Sequence, residues 1–205
     1  MSEPHLITGP RPVQLRGSAM ARALLGLFGW KVVFEGLPTA QGVVMVYPHT
    51  SNWDFVVGIL AKWAIGIPVR FWAKDSLFKA PVFGRWVRWI GGIAVDRASR
   101  KGMVADTAQE LMTARDRGEF YWLAVAPEGT RSLTQGWRSG SYHVALQAGV
   151  PVGLAGLDYG RKEVRFAQFL AMSGDAEADF AAMAKIFSDC LAKRPEHAGP
   201  IRLRA

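Results

Sequence analysis

The chain has 205 residues, half of them hydrophobic, which is enough to bury one core and predicts a single domain over residues 1–205 rather than a disordered chain. Its lone cysteine, Cys190, excludes an internal disulfide and a cysteine-rich zinc site and fits a reducing compartment. The formal charge of +8 is unevenly placed: residues 1–102 hold 13 Lys+Arg against 5 Asp+Glu, whereas residues 103–205 hold 12 of each. The excess in the first half points to an anionic partner, whether a phosphorylated substrate, an acidic lipid surface or nucleic acid.

Residues 1–17 read as an irregular N-terminal arm without the apolar core of a signal peptide, which predicts a cytoplasmic protein. Residues 18–30 form an apolar helix interrupted by Arg22, shorter than the ~20 residues a membrane span needs. It either packs on the domain, the preferred reading, or lies in a membrane interface. Lys31–Glu35 and Val43–Tyr47 read as strands joined by a turn through Gly36, Pro38 and Gly42. The second strand opens into Pro48-His49-Thr50-Ser51-Asn52-Trp53-Asp54, a polar turn ahead of a mostly apolar helix over Trp53–Ile65.

That turn permits a specific geometry. Ser51 is an N-cap residue and Asp54 the third helical residue, so His49 stands outside the helix and can fold back over its first turn. A carboxylate facing Nδ1–H would fix the imidazole tautomer and leave Nε2 as a base. The spacing alone is equally met by an ordinary loop histidine beside a capping box, so other motifs decide.

Val69–Ala73 is the next strand and delivers Lys74 to its end, where α/β folds place ligand groups. Val82–Ile90 reads as a short helix with Arg85 and Arg88 on one side and aromatic residues around the rest, a composition that suits either a lipid headgroup interface or a core with a charged rim. Ile93–Val95 is a short strand followed by Asp96-Arg97, and residues 99–117 are helical. Phe120–Ala126 is a continuous apolar run, as expected of a central strand, and it opens into Pro127-Glu128-Gly129-Thr130-Arg131-Ser132. Backbone N–H groups in such a turn can form an anion nest, and an arginine can hold phosphate through two parallel hydrogen bonds. A helix over Ser139–Ala148, strands over Val150–Leu157 and Glu163–Leu170, an amphipathic helix over Ala176–Lys193 and a tail over residues 195–205 complete the chain.

In this order and at these separations, the His-x-x-x-x-Asp turn, the Gly-x-x-x-Val-Asp-Arg segment and Pro-Glu-Gly-Thr-Arg-Ser resemble the glycerolphosphate acyltransferase family, which includes lysophosphatidic acid acyltransferases. The resemblance runs from about Val32 to Tyr159 and looks like a short branch of that family. It implies an α/β fold with a mixed, largely parallel central sheet flanked by helices. It also implies His49 as general base, Asp54 as its orienting acid, and Arg97, Glu128, Gly129, Thr130 and Arg131 around the acceptor's phosphate; Lys74, from its place at a strand end in the basic half, is a secondary candidate for phosphate contact. The implied reaction moves an acyl group from a coenzyme A or acyl-carrier-protein thioester to a hydroxyl of a lysophospholipid, with no cofactor and no metal. Peripheral contact with an anionic membrane accompanies that reading. The sequence departs from the family in lacking a second proline around Val150-Pro151-Val152 and in having a short N-terminal apolar segment.

Two rival readings stand beside it. A non-catalytic lipid-binding protein on the same scaffold would use the basic half and the Trp-rich Val82–Ile90 segment. Nucleic-acid binding rests only on charge and eight tryptophans and is not expected. A Gly-x-Ser-x-Gly elbow, a Walker loop, Gly-x-Gly-x-x-Gly and a His-Glu-x-x-His helix are all missing from the sequence.

Overall fold

A computed structural model describes residues 5–95 and 102–204. Within them the elements run β1 (His5–Leu6), α1 (Ala19–Leu27), β2 (Lys31–Val33), β3 (Gln41–Tyr47), α2 (Asn52–Ile65), β4 (Arg70–Lys74), α3 (Pro81–Trp89) and β5 (Gly92–Val95). The second half continues with α4 (Met103–Asp116), β6 (Tyr121–Val125), α5 (Gly140–Ala148), β7 (Val152–Asp158), β8 (Glu163–Ala171) and α6 (Ala176–Phe187). Short 3₁₀ turns lie at Asp75–Phe78 and Pro195–His197.

All strands join one sheet of order β1-β8-β7-β3-β6-β4-β5, with β2 also paired to β8. The ladders from β7 through β3, β6 and β4 to β5 are parallel, and β8 runs antiparallel to β7. The predicted mixed, largely parallel sheet is therefore the observed one. Its centre explains the apolar runs: a parallel strand covered on both faces has no solvent side to mark with polar residues. In β3, Val43 and Met45 point into a core shared with α4, α5 and α6, whereas Val44 points into the opposite core with Ile65 of α2 and Trp122. Helix α1 lies on the second face, where Ala21 and Leu25 pack against Val57, Ala61 and Ala64 of α2.

The helix boundaries follow local chemistry. The Ser18 hydroxyl accepts from Ala21 N and starts α1; Asp175 accepts from Ala178 N and starts α6. Gly66 and Gly149, both left-handed, end α2 and α5.

Several elements differ from expectation. The N-terminal arm is not wholly irregular, because His5 and Leu6 pair with Ala171 and Leu170 at the edge of β8. Strands β2 and β3 are consecutive but not neighbours, since β2 pairs with β8 while β3 takes the sheet centre. Gly42 belongs to β3 rather than to the turn, and a Cβ there would lie 2.4 Å from the Trp122 ring. Helix α6 stops at Phe187, six residues before the predicted Lys193. The tail is tied down, with Trp137 N donating to Arg202 O at 2.7 Å and Arg204 N to Trp137 O at 2.9 Å. Asp96 and Arg97 lie outside the described residues.

Parallel strands share a direction, so the segments that follow β3, β6, β4 and β5 all emerge on one edge of the sheet. Met45 pairs with Val125 and Phe71 with Ala124, which sets the His49 turn, the Pro127 turn and Lys74 side by side. Sheet order brings together what the sequence separates.

Candidate active site

Strand β3 ends at Tyr47, whose peptide to Pro48 is cis, and the chain crosses into α2 within four residues. Ser51 caps the helix and forms the full capping box with Asp54. The Asp54 side chain is almost entirely buried, and Oδ2 accepts the backbone N–H groups of Thr50 at 2.6 Å and Ser51 at 2.7 Å. The same oxygen faces His49 Nδ1 at 3.6 Å. That is longer than a hydrogen bond, as is common for catalytic pairs before substrate closes on them. The capping and the orienting roles thus coexist in one carboxylate.

Asp54 has a third partner, unforeseen in the sequence. The Tyr159 hydroxyl, just beyond the end of β7, donates to Asp54 Oδ1 at 2.7 Å. Burial and that hydrogen bond push the Tyr159 phenol well above its ordinary value, so it stays a donor at any working pH. Its ring is held edge-on by Trp30 at 4.9 Å. With both oxygens engaged, the carboxylate cannot turn away from the imidazole.

The His49 imidazole is about one-fifth exposed. Burial pushes its pKa below the usual value, Asp54 pulls it back up, and the positive charge of Arg131 pushes it down. The net lowering leaves it neutral at pH 7, with Nε2 available to take a proton. Arg131 therefore acts on His49 electrostatically although 82 positions separate them in the sequence.

Glu128 occupies a different place from the one the motif suggests. It is buried, and its Oε2 accepts the His49 backbone N–H at 2.8 Å. Rather than standing among groups open to an acceptor's phosphate, it ties the Pro127 turn to the base-bearing turn. Burial, offset in part by the His49 N–H and reinforced by Asp54, pushes its pKa up to about 8.

Thr130 and Arg131 are exposed at the tip of the same turn, with Ser132 N donating to Thr130 Oγ1 at 3.3 Å. Gly129 takes φ +67°, and a Cβ there would lie 2.5 Å from Arg138 Nε. The Arg138 side chain, not singled out in the sequence, thus lies across the glycine. Lys74 is exposed at the same sheet edge, at the end of β4 opposite Val95. The tail reaches the site as well: Arg194 N donates to Thr50 Oγ1 at 3.3 Å, and Lys193 Nζ lies 4.9 Å from the Trp53 ring. Among the described residues no group of three or more His, Cys, Asp and Glu side chains could hold a metal.

A neutral, oriented imidazole within electrostatic reach of an exposed arginine, at the carboxyl edge of a parallel sheet, is an arrangement that can accept a proton near a positive charge. The family model described as Acyltransferase matches residues 31–153, which span β2 to the start of β7. The chain belongs to the acyltransferase family and is an acyltransferase. Among solved structures it is similar to the 1-acyl-sn-glycerophosphate (LPA) acyltransferase PlsC from Thermotoga maritima, with 20% identity over 82% of this chain and 76% of that one and a TM-score of 0.52. That likeness carries the fold. No curated protein matches the chain by sequence.

Tyr159→Phe keeps the ring packing and deletes only the donor to Asp54. Losing a hydrogen bond to a charged group costs ~1.5–3 kcal/mol, so kcat falls about ten- to a hundredfold with KM little changed. With its negative charge no longer stabilised by the phenol O–H, Asp54 favours the imidazolium more strongly, so the acid limb of the pH–rate profile moves to higher pH. An unchanged profile would reduce Tyr159 to packing.

Glu128 gives a second prediction. Its folded pKa of about 8 exceeds the ordinary value of 4.5, so the folded state holds more protons between those limits and stability falls as pH rises through them. Glu128→Gln keeps an acceptor for His49 N–H and abolishes that slope. Denaturant midpoints of the two proteins should diverge in favour of the variant from pH 5 to pH 8, and parallel curves would contradict the assignment.

Proposed function

We propose that the protein moves a fatty acyl group from an acyl thioester, carried by coenzyme A or acyl-carrier protein, to a hydroxyl of a lysophospholipid such as 1-acylglycerol 3-phosphate. The observation that carries this reading is the neutral His49 imidazole, oriented by Asp54 and within electrostatic reach of the Arg131 guanidinium. A hydroxyl and a phosphate a few bonds apart in one headgroup are what such a pair accommodates. The LPA acyltransferase named for the similar solved structure supports the same substrate class.

In the proposed reaction, His49 Nε2 accepts the acceptor's hydroxyl proton as that oxygen attacks the thioester carbonyl. The tetrahedral intermediate collapses with cleavage of the C–S bond. The imidazolium, steadied by Asp54, then returns the proton to the departing thiolate, giving an ester and a free thiol. Arg131 holds the phosphate, with Gly129 allowing the backbone to approach and Thr130 adding a hydroxyl. Arg97, Lys74 and Arg138 supply further positive charge in this reading, and Glu128 positions the base through its backbone. The acceptor is a membrane lipid, so the reading carries with it a cytoplasmic location and peripheral contact with an anionic membrane.

Two measurements test it. Release of free thiol from a panel of acyl-coenzyme A and acyl-carrier-protein donors should depend on added lysophosphatidic acid and should fall at least 10²-fold in His49→Ala, the lower end of what general-base catalysis contributes. Full activity in that variant would sink the mechanism. Arg131→Ala should raise KM for the phosphorylated acceptor about ten- to a hundredfold, the worth of one charge-assisted contact, while kcat changes little. An unchanged KM would exclude Arg131 from phosphate binding.

A further inference from the structure

The two helical layers covering the sheet differ in what they show to solvent. Helices α4, α5 and α6 expose no large hydrophobic residue among those described. The layer of α1, α2 and α3 exposes many: Leu27 is 79% exposed, Trp53 58%, Val82 83% and Trp89 74%. Side chains of that size left in water on one layer and not the other call for an occupant.

The exposed groups form a continuous face. Helix α1 packs on α2 through Ala21 and Leu25, and α3 packs on α2 through Trp86 against Phe55, with ring centroids 6.3 Å apart, and Trp89 against Trp63 at 6.2 Å. In α3, Val82, Trp86 and Trp89 fall at i, i+4 and i+7, one stripe of a helix. Gly84 and Val87 form its buried side, with Gly84 pressed on the Phe78 backbone, so the stripe cannot turn inward without undoing that packing. Arg85 and Arg88 flank the stripe and are exposed.

Charge identifies the occupant. Helices α1, α2 and α3 contain four basic residues, Arg22, Lys62, Arg85 and Arg88, and a single acidic one, Asp54, which is buried in the site. Helices α4 and α6 on the opposite layer expose the carboxylates of Asp106, Glu110, Asp116 and Glu177 beside the basic Arg115 and Lys185, and Asp179 is buried. Tryptophans whose rings sit at an interface, interleaved with arginines on helices that expose no carboxylate, match an anionic lipid headgroup layer over an apolar one, and Asp75 of the adjoining 3₁₀ turn is paired with Lys79 at 3.8 Å. Among the described residues no helix is long and apolar enough to cross a membrane, so the contact lies along the surface.

We propose that the outer face of the α1–α2–α3 layer, centred on the Val82–Trp89 stripe and its two arginines, is a docking surface for an anionic bilayer. The face reaches the active site at Trp53, which precedes Asp54 in the first turn of α2 and lies under Lys193. Docked this way, the mouth of the His49–Asp54 site opens at the headgroup level, and a lysolipid enters it from the leaflet. The proposal rests on the lipid reading of the acceptor for its purpose, but docking itself is measured without catalysis.

The test is co-sedimentation of the full chain with vesicles of phosphatidylcholine and phosphatidylglycerol at 3:1, compared with pure phosphatidylcholine. Wild type and His49→Ala should bind the anionic vesicles alike, and binding should weaken with salt. Val82→Ser/Trp89→Ser and Arg85→Gln/Arg88→Gln change exposed residues only, and each should lower the partition coefficient at least tenfold; Lys185→Gln, on the opposite layer, should leave it unchanged. Circular dichroism and thermal melting verify that the variants are folded. Failure of wild type to bind anionic vesicles, or equal binding by both double variants, would overturn the proposal. So would a wild-type dimer in sedimentation velocity that Val82→Ser/Trp89→Ser dissolves, because the face would then belong to a second copy. Thiol release with lysolipid in detergent micelles separates the two readings. Val82→Ser/Trp89→Ser should retain it while losing vesicles, whereas vesicle binding by a wild type that releases no thiol would refute acyl transfer and leave docking standing.

Discussion

The site depends on one buried carboxylate. Asp54 accepts from two backbone N–H groups of its own turn and from a hydroxyl that the sheet brings from beyond β7, and the side left open faces the imidazole. Each bond to a charged acceptor is worth more than a neutral one, and three together leave the carboxylate one orientation. The same group closes the capping box of α2, so the start of the helix and the direction of the histidine are set by a single interaction. Without it the backbone N–H groups of Thr50 and Ser51 would lose the partner they have in a buried turn.

A second carboxylate works on the same histidine in the opposite sense. Glu128 lies behind the turn and takes the His49 N–H, and burial raises its pKa to about 8. At neutral pH it is mostly uncharged, so it fixes the backbone without adding a negative charge that would hold a proton on the imidazole. Separating the two tasks keeps His49 basic enough to accept a proton and neutral enough to be ready for one. Arg131 completes the balance from the solvent side, lowering the imidazole pKa that Asp54 raises.

The parts of this arrangement legible in the sequence are those made within one turn. A capping box needs four consecutive residues, so Ser51, Asp54 and the flanking position of His49 follow from local rules. Central strands are legible for a similar reason, since β3, β6 and β7 are apolar on both faces. What the sequence conceals is decided by sheet order. Tyr159 lies 105 positions from Asp54 and meets it only because β7 is the neighbour of β3. Glu128 shares a motif with Arg131 but faces the other way, and no spacing rule distinguishes a buried glutamate from an exposed one in the same turn. Helix α6 shows the limit of periodicity. The apolar pattern continues through Cys190 and Leu191, but after Ser188 the chain leaves the helix, Asp189 pairs with Arg161 at 2.8 Å, and Leu191 O takes the Tyr159 N–H.

That last bond ties the end of the chain to the chemistry. Tyr159 is fixed at its backbone by Leu191 and at its ring by Trp30, and only then can its hydroxyl be spent on Asp54. Two residues beyond Leu191, Lys193 lies over Trp53 and Tyr159, and Arg194 N reaches the hydroxyl of Thr50. A helix carried through Lys193 would have stiffened this segment along the α6 axis, directing these residues away from the turn. Stopping α6 at Phe187 frees six residues to wrap back across the mouth of the site. The irregular segment is therefore what holds Tyr159, 105 positions away in the sequence, against the carboxylate-bearing turn, while its own Lys193 and Arg194 close over Trp53 and Thr50 of that turn.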